Sequence, residues 1–539
     1  MPNRIYLYEI ILRGEQLRNF FKTVAIVTVF SVCEKFLGFL YRIYLSRTIG
    51  SEGIGLYQVA LSVFALLLTI TCSGTPITVS RLITKYNAQK QRDRISKVIT
   101  AGLLITVLVA IPMCLLFFIF GNKFSFLFAD ERCMPIFLTV LPGLIFTSVY
   151  SILRGVFWGT KDFLPYSVIE LLEELCMIVV GIVLIHYATD VYQGALRAGI
   201  AVLISYVFSF SLAITVFAIR KNKLSNPKSE LKPLLKSALP ITAMRTANSL
   251  AISLVSIILP IRLIAAGFTE SQAMSSFGAA VGQAIPLLFI PTTLIGSFTL
   301  VLVPEISENY YKERHFYLRR DVEKALKFTT FLTCLFIPVF FVCGEEIGML
   351  VFKGHECGKY IKSSAFLMLF MSLSSITTSI LNSMGFEHKT LIFYIISGIF
   401  MLLSIWFLPT YAGIYSLLIG FTFIYGLTTV LNLLLLGKHC KDKPKYLKFT
   451  LVSVLLLIPT TLLGLMLEKM LLSVLGTFFT FIVCAVCMVL FNTAMYVGSG
   501  LVTLNFLRTK IKDVMKKSPR LNKVKAVKKL IRNKKQPRN

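Results

Sequence analysis

The sequence predicts an all-α polytopic membrane protein: about fourteen transmembrane helices, in two six-helix bundles related by a parallel repeat, plus two C-terminal helices. Composition, the spacing of apolar runs and the alternation of loop charge predict it. Of 539 residues, 56% are hydrophobic and 15% charged, and mean hydropathy is +0.76, against ~45–50% apolar and ~25% charged in soluble domains. Apolar runs of about 20 residues, the length that crosses a bilayer, are centred near residues 34, 65, 108, 146, 175, 208, 251, 288, 335, 373, 399, 424, 458 and 486.

The net charge of +30 does not point to nucleic acid, because the cations are placed by membrane side. With the N-terminus inside, inner segments hold 43 of the 56 Lys and Arg, outer loops eight, and spans five: Lys35, Arg42, Arg154, Arg245 and Arg262. This positive-inside asymmetry predicts cytoplasmic N- and C-termini, which requires an even number of spans. From Arg508 onward the tail carries 14 Lys and Arg against Asp513 alone, interleaved with Ile511, Val514, Leu521 and Ile531. It reads as a segment lying on the anionic lipids of the inner leaflet. No signal peptide is expected, since the Ile10-Ile11-Leu12 run is too short and no small-residue cleavage site follows.

Loop positions suggest internal duplication. Span four ends Ser151-Ile152-Leu153-Arg154-Gly155 and span ten ends Ser379-Ile380-Leu381-Asn382-Ser383, both before a short inner turn. Spans two and eight both run into inner loops with six cations, and spans six and twelve both end in basic loops. A displacement of six spans preserves orientation, so the repeat axis lies along the membrane normal. The expected organisation is a cytoplasmic N-terminus (1–22), an N-terminal bundle (23–220), a basic linker (221–236), a C-terminal bundle (237–437), helices 13–14 (438–498) and a basic tail (499–539).

Charges inside spans are costly and mark candidate sites. In span one, Lys35 and Arg42 fall within about 20° on the helical wheel, with Gly38 between them on the same stripe and Glu34 beside them. Arg262 in span seven lies 220 residues after Arg42, toward the outer end of the first helix of its bundle. For both arginines, snorkelling to the outer interface is the competing reading. Pro240 and Pro260 predict that span seven bends. In span five, Glu170, Glu173 and Glu174 share one face at i, i+3 and i+4. Arg154, Arg245, Lys35 or a transported cation would offset their repulsion. The face is either an ion-pair network that orders the bundle, a proton- or sodium-coupling site, or a direct substrate contact.

The eleven cysteines sit mostly in spans, where a thiol acts as a small apolar group. Cys484 and Cys487 both lie in the last span and read that way. Cys133, Cys343 and Cys357 lie in or near outer loops, and spacing does not decide whether they pair. His355 and Cys357 lack two further ligands, so no metal site is expected.

Several stretches together resemble the multidrug/oligosaccharidyl-lipid/polysaccharide exporter superfamily, in its stage V sporulation protein B-like polysaccharide-transporter branch. They are Glu34-Lys35-Phe36-Leu37-Gly38-Phe39-Leu40-Tyr41-Arg42, Gly53-Ile54-Gly55-Leu56-Tyr57-Gln58, Ser73-Gly74-Thr75-Pro76-Ile77-Thr78-Val79-Ser80-Arg81, Arg154-Gly155-Val156-Phe157-Trp158-Gly159 and Leu302-Val303-Pro304-Glu305-Ile306-Ser307. The resemblance implies a MATE-like fold and a flippase of lipid-linked wall precursors, related to the lipid II flippases. In that family, arginines of span one, the end of span two and the C-terminal bundle line a cationic cavity. By motif these fall at Lys35, Tyr41/Arg42 and Arg81, with Lys standing at 35 where the flippases carry Arg. Arg262 enters through the repeat instead.

The expected function is transport, not enzymatic catalysis: export of a lipid II-like or other undecaprenyl-pyrophosphate-linked saccharide across the cytoplasmic membrane by alternating access. Lys35, Arg42, Arg81, Arg245 and Arg262 are the expected substrate-binding cations, since guanidinium forks suit phosphate oxygens. Glu34, Glu170, Glu173, Glu174 and Arg154 form the expected coupling or charge network. No cofactor is expected, and proton, sodium or membrane potential is the candidate driving force. Cell-wall synthesis proteins are further candidate partners. Two alternatives stand: a cation-coupled multidrug antiporter using the carboxylates, and a non-transporting membrane scaffold of wall assembly. A glycosyltransferase is disfavoured because no Asp-x-Asp edges a span and the outer loops are short.

Overall fold

A computed structural model describes residues 2–220, 223–440 and 446–501. The basic tail beyond 501 lies outside these residues. In chain order the helices are α1 (Pro2–Cys72), α2 (Thr75–Ala88), α3 (Arg92–Phe120), α4 (Cys133–Val140), α5 (Gly143–Gly159), α6 (Phe163–His186), α7 (Val191–Ile219), α8 (Lys228–Ala265), α9 (Glu270–Phe277), α10 (Ile285–Leu288), α11 (Ile290–Tyr311), α12 (His315–Val342) and α13 (Gly344–Ile347). They continue with α14 (His355–Ser364), α15 (Leu367–Ser383), α16 (Glu387–Phe407), α17 (Pro409–Ala412), α18 (Tyr415–Thr422), α19 (Thr428–His439) and α20 (Leu447–Gly498). π-helical turns occupy Gly278–Ala284, Gly348–Phe352 and Phe423–Leu427.

Ten described helices are long and apolar enough to cross a membrane, or twelve when each of two broken pairs, α4–α5 and α14–α15, is taken as one span. All fourteen apolar centres still fall on helical backbone. Two physical features account for the difference. Val29–Ala88 forms one run, yet its 60 residues would reach about 90 Å if straight, three times a bilayer core. The turn is at Gly50, whose φ of 69° is readily adopted only by a residue without Cβ; Gly476 breaks α20 in the same way at φ 70°. The second feature is α6, where every span-length stretch contains Glu170, Glu173 and Glu174. The expected bend of span seven corresponds to α8, which remains continuous helix through Pro233, Pro240 and Pro260.

The chain divides into two compact units. The first comprises Met1–Ile290, Ile347–Leu367 and His388–Val430; the second comprises Pro291–Glu346, Met368–Glu387 and Leu431–Asn539. In the first unit, α2, α3, α5 and the start of α8 bury Val79, Ile83, Val98, Ile99, Ile152, Val156, Leu234 and Ala238. Helix association in lipid draws on close packing more than on hydrophobic transfer, and Gly155 supplies it: a Cβ there would lie 2.6 Å from the Pro76 carbonyl oxygen. The break between α4 and α5 turns the chain by 43°.

In the second unit, α12 packs along α20. Phe331 meets Tyr496 edge-on with centroids 4.9 Å apart, and the Asn492 side-chain amide donates to the Cys334 carbonyl at 2.8 Å. Asn432 on α19 donates to the Thr378 hydroxyl on α15 at 2.9 Å. These bonds satisfy donors that lipid would leave unpaired, at a cost of several kcal/mol per group.

Candidate functional site

All ten charged residues singled out from the sequence lie in the first unit, where they separate into three kinds of environment. Arg42, on the first arm of α1, donates from Nη1 to the Gly282 carbonyl at 2.8 Å. Gly282 belongs to the π run Gly278–Ala284, and a π turn interrupts the i→i−4 ladder, which frees carbonyl capacity for a side-chain donor. Among the described residues no carboxylate lies within ion-pair distance of Arg42. Its charge is therefore hydrogen-bonded but not neutralised.

Arg262, at the end of α8, is held in the same fashion. Its Nε donates to the Trp406 carbonyl at 2.8 Å, and its guanidinium lies 5.0 Å from the Trp406 ring centroid, a cation–π arrangement. Arg42 and Arg262 thus take different partners and share no direct contact. What the pair has in common is a backbone carbonyl in place of a carboxylate.

Of the remaining expected cations, Arg81 and Arg245 lie outside the acidic cluster and Lys35 lies within it. Arg81, at the surface of α2, donates to the Ser237 hydroxyl of α8. Arg245, on the middle of α8, is exposed. Lys35 is exposed on α1, within electrostatic range of Glu174 and Glu34.

The acidic residues do come together. Arg154 on α5 donates from Nη1 to Glu170 Oε1 on α6 at 2.9 Å and lies over the Trp158 ring at 5.1 Å. Glu34 on α1 is in electrostatic range of Glu170 and Arg154. One turn along α6, Glu174 rests against Gly38: a Cβ on Gly38 would lie 2.8 Å from Glu174 Oε1. The gap on the Lys35–Arg42 stripe is thus filled by a carboxylate. Glu173 turns toward Ser209 on α7, and its Oε2 has no hydrogen-bond partner among the described residues. Six charged groups from α1, α5 and α6 therefore form one cluster, with four acids against Arg154 and Lys35.

Other polar groups near Arg42 carry no signal in the sequence. Arg47 Nε donates to the Val351 carbonyl at 2.9 Å and the Ser46 hydroxyl to that of Phe352 at 3.2 Å. The Gln283 amide donates to Ser46 at 2.7 Å and to Ser51 at 3.1 Å. These bonds fasten α1 to two π turns, whose carbonyls no local sequence pattern announces. A second missed cluster joins Tyr86, Arg94 and Glu230: Tyr86 donates to Glu230 Oε2 at 2.8 Å, Arg94 sits 3.9 Å from Oε1, and Glu230 is 2% exposed. A third joins Arg132 to Asp130 at 2.7 Å and to Glu52 at 2.8 Å. There the Asp130 carboxylate, helped by Glu52, holds the Arg132 guanidinium above its usual pKa range despite burial.

All eleven cysteines, the outer-loop Cys133, Cys343 and Cys357 included, are free thiols.

Comparison with known proteins gives this arrangement a family. The model of the family described as polysaccharide biosynthesis protein matches residues 20–310, more than half of the chain. Stage V sporulation protein B of Bacillus subtilis (strain 168) is 25% identical over 66% of this chain and 71% of its own length. The solved lipid II flippase MurJ, in an inward closed conformation, superposes with a TM-score of 0.67 at 15% identity, covering 89% of this chain and all of the other. An inward-facing multidrug resistance MATE family transporter of the MOP superfamily gives a TM-score of 0.59 at 13% identity, covering 79% of this chain and 95% of its own. The fold is thus the MATE-like one.

Proposed function

Since this chain belongs to the polysaccharide biosynthesis protein family, we propose that it is a flippase of the cell membrane. Its cargo is a lipid-linked saccharide, lipid II-like or another undecaprenyl-pyrophosphate-linked precursor, and it works by alternating access with both termini cytoplasmic. The observation that carries this reading is the way Arg42 and Arg262 are held. Each is fixed by a carbonyl at 2.8 Å, so the guanidinium is oriented while its charge stays available to an anion.

A pyrophosphate headgroup cannot enter hydrocarbon unaided, and a fixed guanidinium offers it two parallel donors. Most of the fork's five donors remain for the cargo after one serves the carbonyl. Lys35 adds a compact charge on the same helix, and Arg81 and Arg245 supply cations nearer the inner face. The apolar arms of α20 are suited to flank an isoprenoid tail. Bundle rocking would open the cavity to each side in turn. Proton, sodium or membrane potential drives the cycle through the Glu34–Glu170–Glu173–Glu174 cluster in this account. Anionic lipids would engage the basic tail, and wall-assembly proteins would receive the cargo.

A cation-coupled multidrug antiporter is the second reading. The excess of acids in the α1–α5–α6 cluster, with Glu173 Oε2 unpaired, favours it. The two readings separate in proteoliposomes loaded with a fluorescent lipid-linked precursor or with a cationic dye. The flippase reading expects faster appearance of the precursor headgroup in the opposite leaflet than in protein-free vesicles, with no proton- or sodium-driven dye uptake. Dye antiport without precursor movement overturns it. Mass spectrometry of co-purified lipid identifies the cargo.

A further inference from the structure

The first unit contains a cavity that none of the ten charged residues discussed above lines. The cavity, of about 210 Å³, is lined by Ser276 and Ala279 from α9 and the following π turn, Glu356, Lys359 and Tyr360 from α14, and Ile414 and Tyr415 at the start of α18. Its floor, Ser276, Ala279 and Tyr360, is buried, and its rim, Glu356, Lys359 and Tyr415, is exposed. The loop-charge orientation assigns all three chain segments to the outer face.

We propose that this cavity binds one pyranose ring. Size is the first reason: drug-sized pockets measure ~300–1,000 Å³, so 210 Å³ suits a single ring. The second is the aromatic platform. Tyr415 stacks on Tyr360 with centroids 6.1 Å apart and planes within 12°; Tyr360 is buried behind it, while Tyr415 is 38% exposed. A pyranose has one face of C–H bonds, slightly positive at hydrogen, which suits the negative face of an aromatic ring. The third is the polar complement. On the rim, Glu356 accepts and Lys359 donates, matching sugar hydroxyls that do both. A flat aromatic ligand would leave those rim charges unmatched, and a phosphate would face Glu356.

The assignment rests on the flippase reading for its cargo: the ring is that of the lipid-linked saccharide after its headgroup reaches the outer face. A free sugar offers the same chemistry, and the test separates the two. Saturation-transfer NMR on the detergent-purified full chain, with N-acetylglucosamine and glucose as probes, should show transfer strongest to the ring C–H hydrogens of one face. Tyr415→Ala should weaken it at least tenfold and Tyr415→Trp should restore it. Glu356→Gln with Lys359→Gln should weaken it at least threefold while the melting temperature holds. Lost sugar binding with a slowed flipping rate in Tyr415→Ala identifies the lipid-linked cargo, and lost binding with unchanged flipping identifies free sugar. Absent transfer from both probes in the wild type, or full transfer in Tyr415→Ala, overturns the site. Sugar binding in detergent is read without transport, so failure of the flippase reading leaves this result distinct.

Discussion

The carboxylate of Glu174 occupies the space that a side chain on Gly38 would need, with Oε1 2.8 Å from the position of a Cβ there. A carboxylate from α6 thereby enters the Lys35–Arg42 stripe of α1, and the two halves of the charge pattern meet at a glycine. Gly38→Ala gains about 1 kcal/mol of helix propensity but displaces the end of Glu174, so the two effects nearly cancel in stability. Thermal melting should shift by no more than a few degrees, while Gly38→Val should lower it further and slow precursor flipping. Unaltered flipping in both variants would show that the Glu174 position does not matter.

Arg154 and Glu170 form a partly buried pair, 30% and 21% exposed at their side chains. Removing one partner of a buried pair costs about 3–5 kcal/mol, and partial exposure brings this to about 1–3 kcal/mol. Arg154→Ala should therefore destabilise more than the Arg154→Ala/Glu170→Gln double variant, in which no bare carboxylate is left. A double-mutant cycle of melting curves measures the difference, and additive effects would contradict the pairing.

Arg132 is the charged partner of Asp130, which is 1% exposed. Arg132→Ala strands that carboxylate and should cost about 2–4 kcal/mol after allowance for the arginine's own exposure. Asp130→Asn in the same background should recover much of the loss, as read by detergent-solubilised melting.

Much of this was legible in the residues, for reasons that mark the limit. A span announces itself through about 20 apolar residues, and the three glutamates of α6 announce a shared face through i, i+3, i+4 spacing, because both are local properties of one helix. The meeting of α6 with Arg154 and Glu34 followed because lipid leaves charges few partners. The anchors of Arg42 and Arg262 were not legible: a carbonyl has no residue type, and the π turn at Gly282 depends on how neighbouring helices pack. Arg42 and Arg262, paired in the sequence by their spacing, each donate to a backbone carbonyl, of Gly282 and of Trp406, and not to each other. The Tyr86–Arg94–Glu230 cluster was hidden among solvated loop charges, where nothing in the pattern distinguishes a buried acid.

In the proposed cycle Glu173 and Glu174 are the carboxylates that couple transport to an ion. Glu173→Gln with Glu174→Gln should make precursor flipping independent of an imposed proton or sodium gradient while leaving the fold intact by circular dichroism. Retained gradient dependence would confine the two residues to a structural role.

In the proposed function Arg42 and Arg262, held by backbone carbonyls and without a carboxylate partner among the described residues, receive the phosphate of a lipid-linked saccharide. The most direct measurement is the flipping rate of a fluorescent lipid-linked precursor in proteoliposomes containing wild type, Arg42→Ala, Arg262→Ala or the double variant at matched incorporation. Each single variant should lose at least tenfold, because a lost charge-assisted bidentate contact is worth roughly 1.5–3 kcal/mol, and the double should fall to the protein-free rate. Wild-type flipping by the double Ala variant would contradict it.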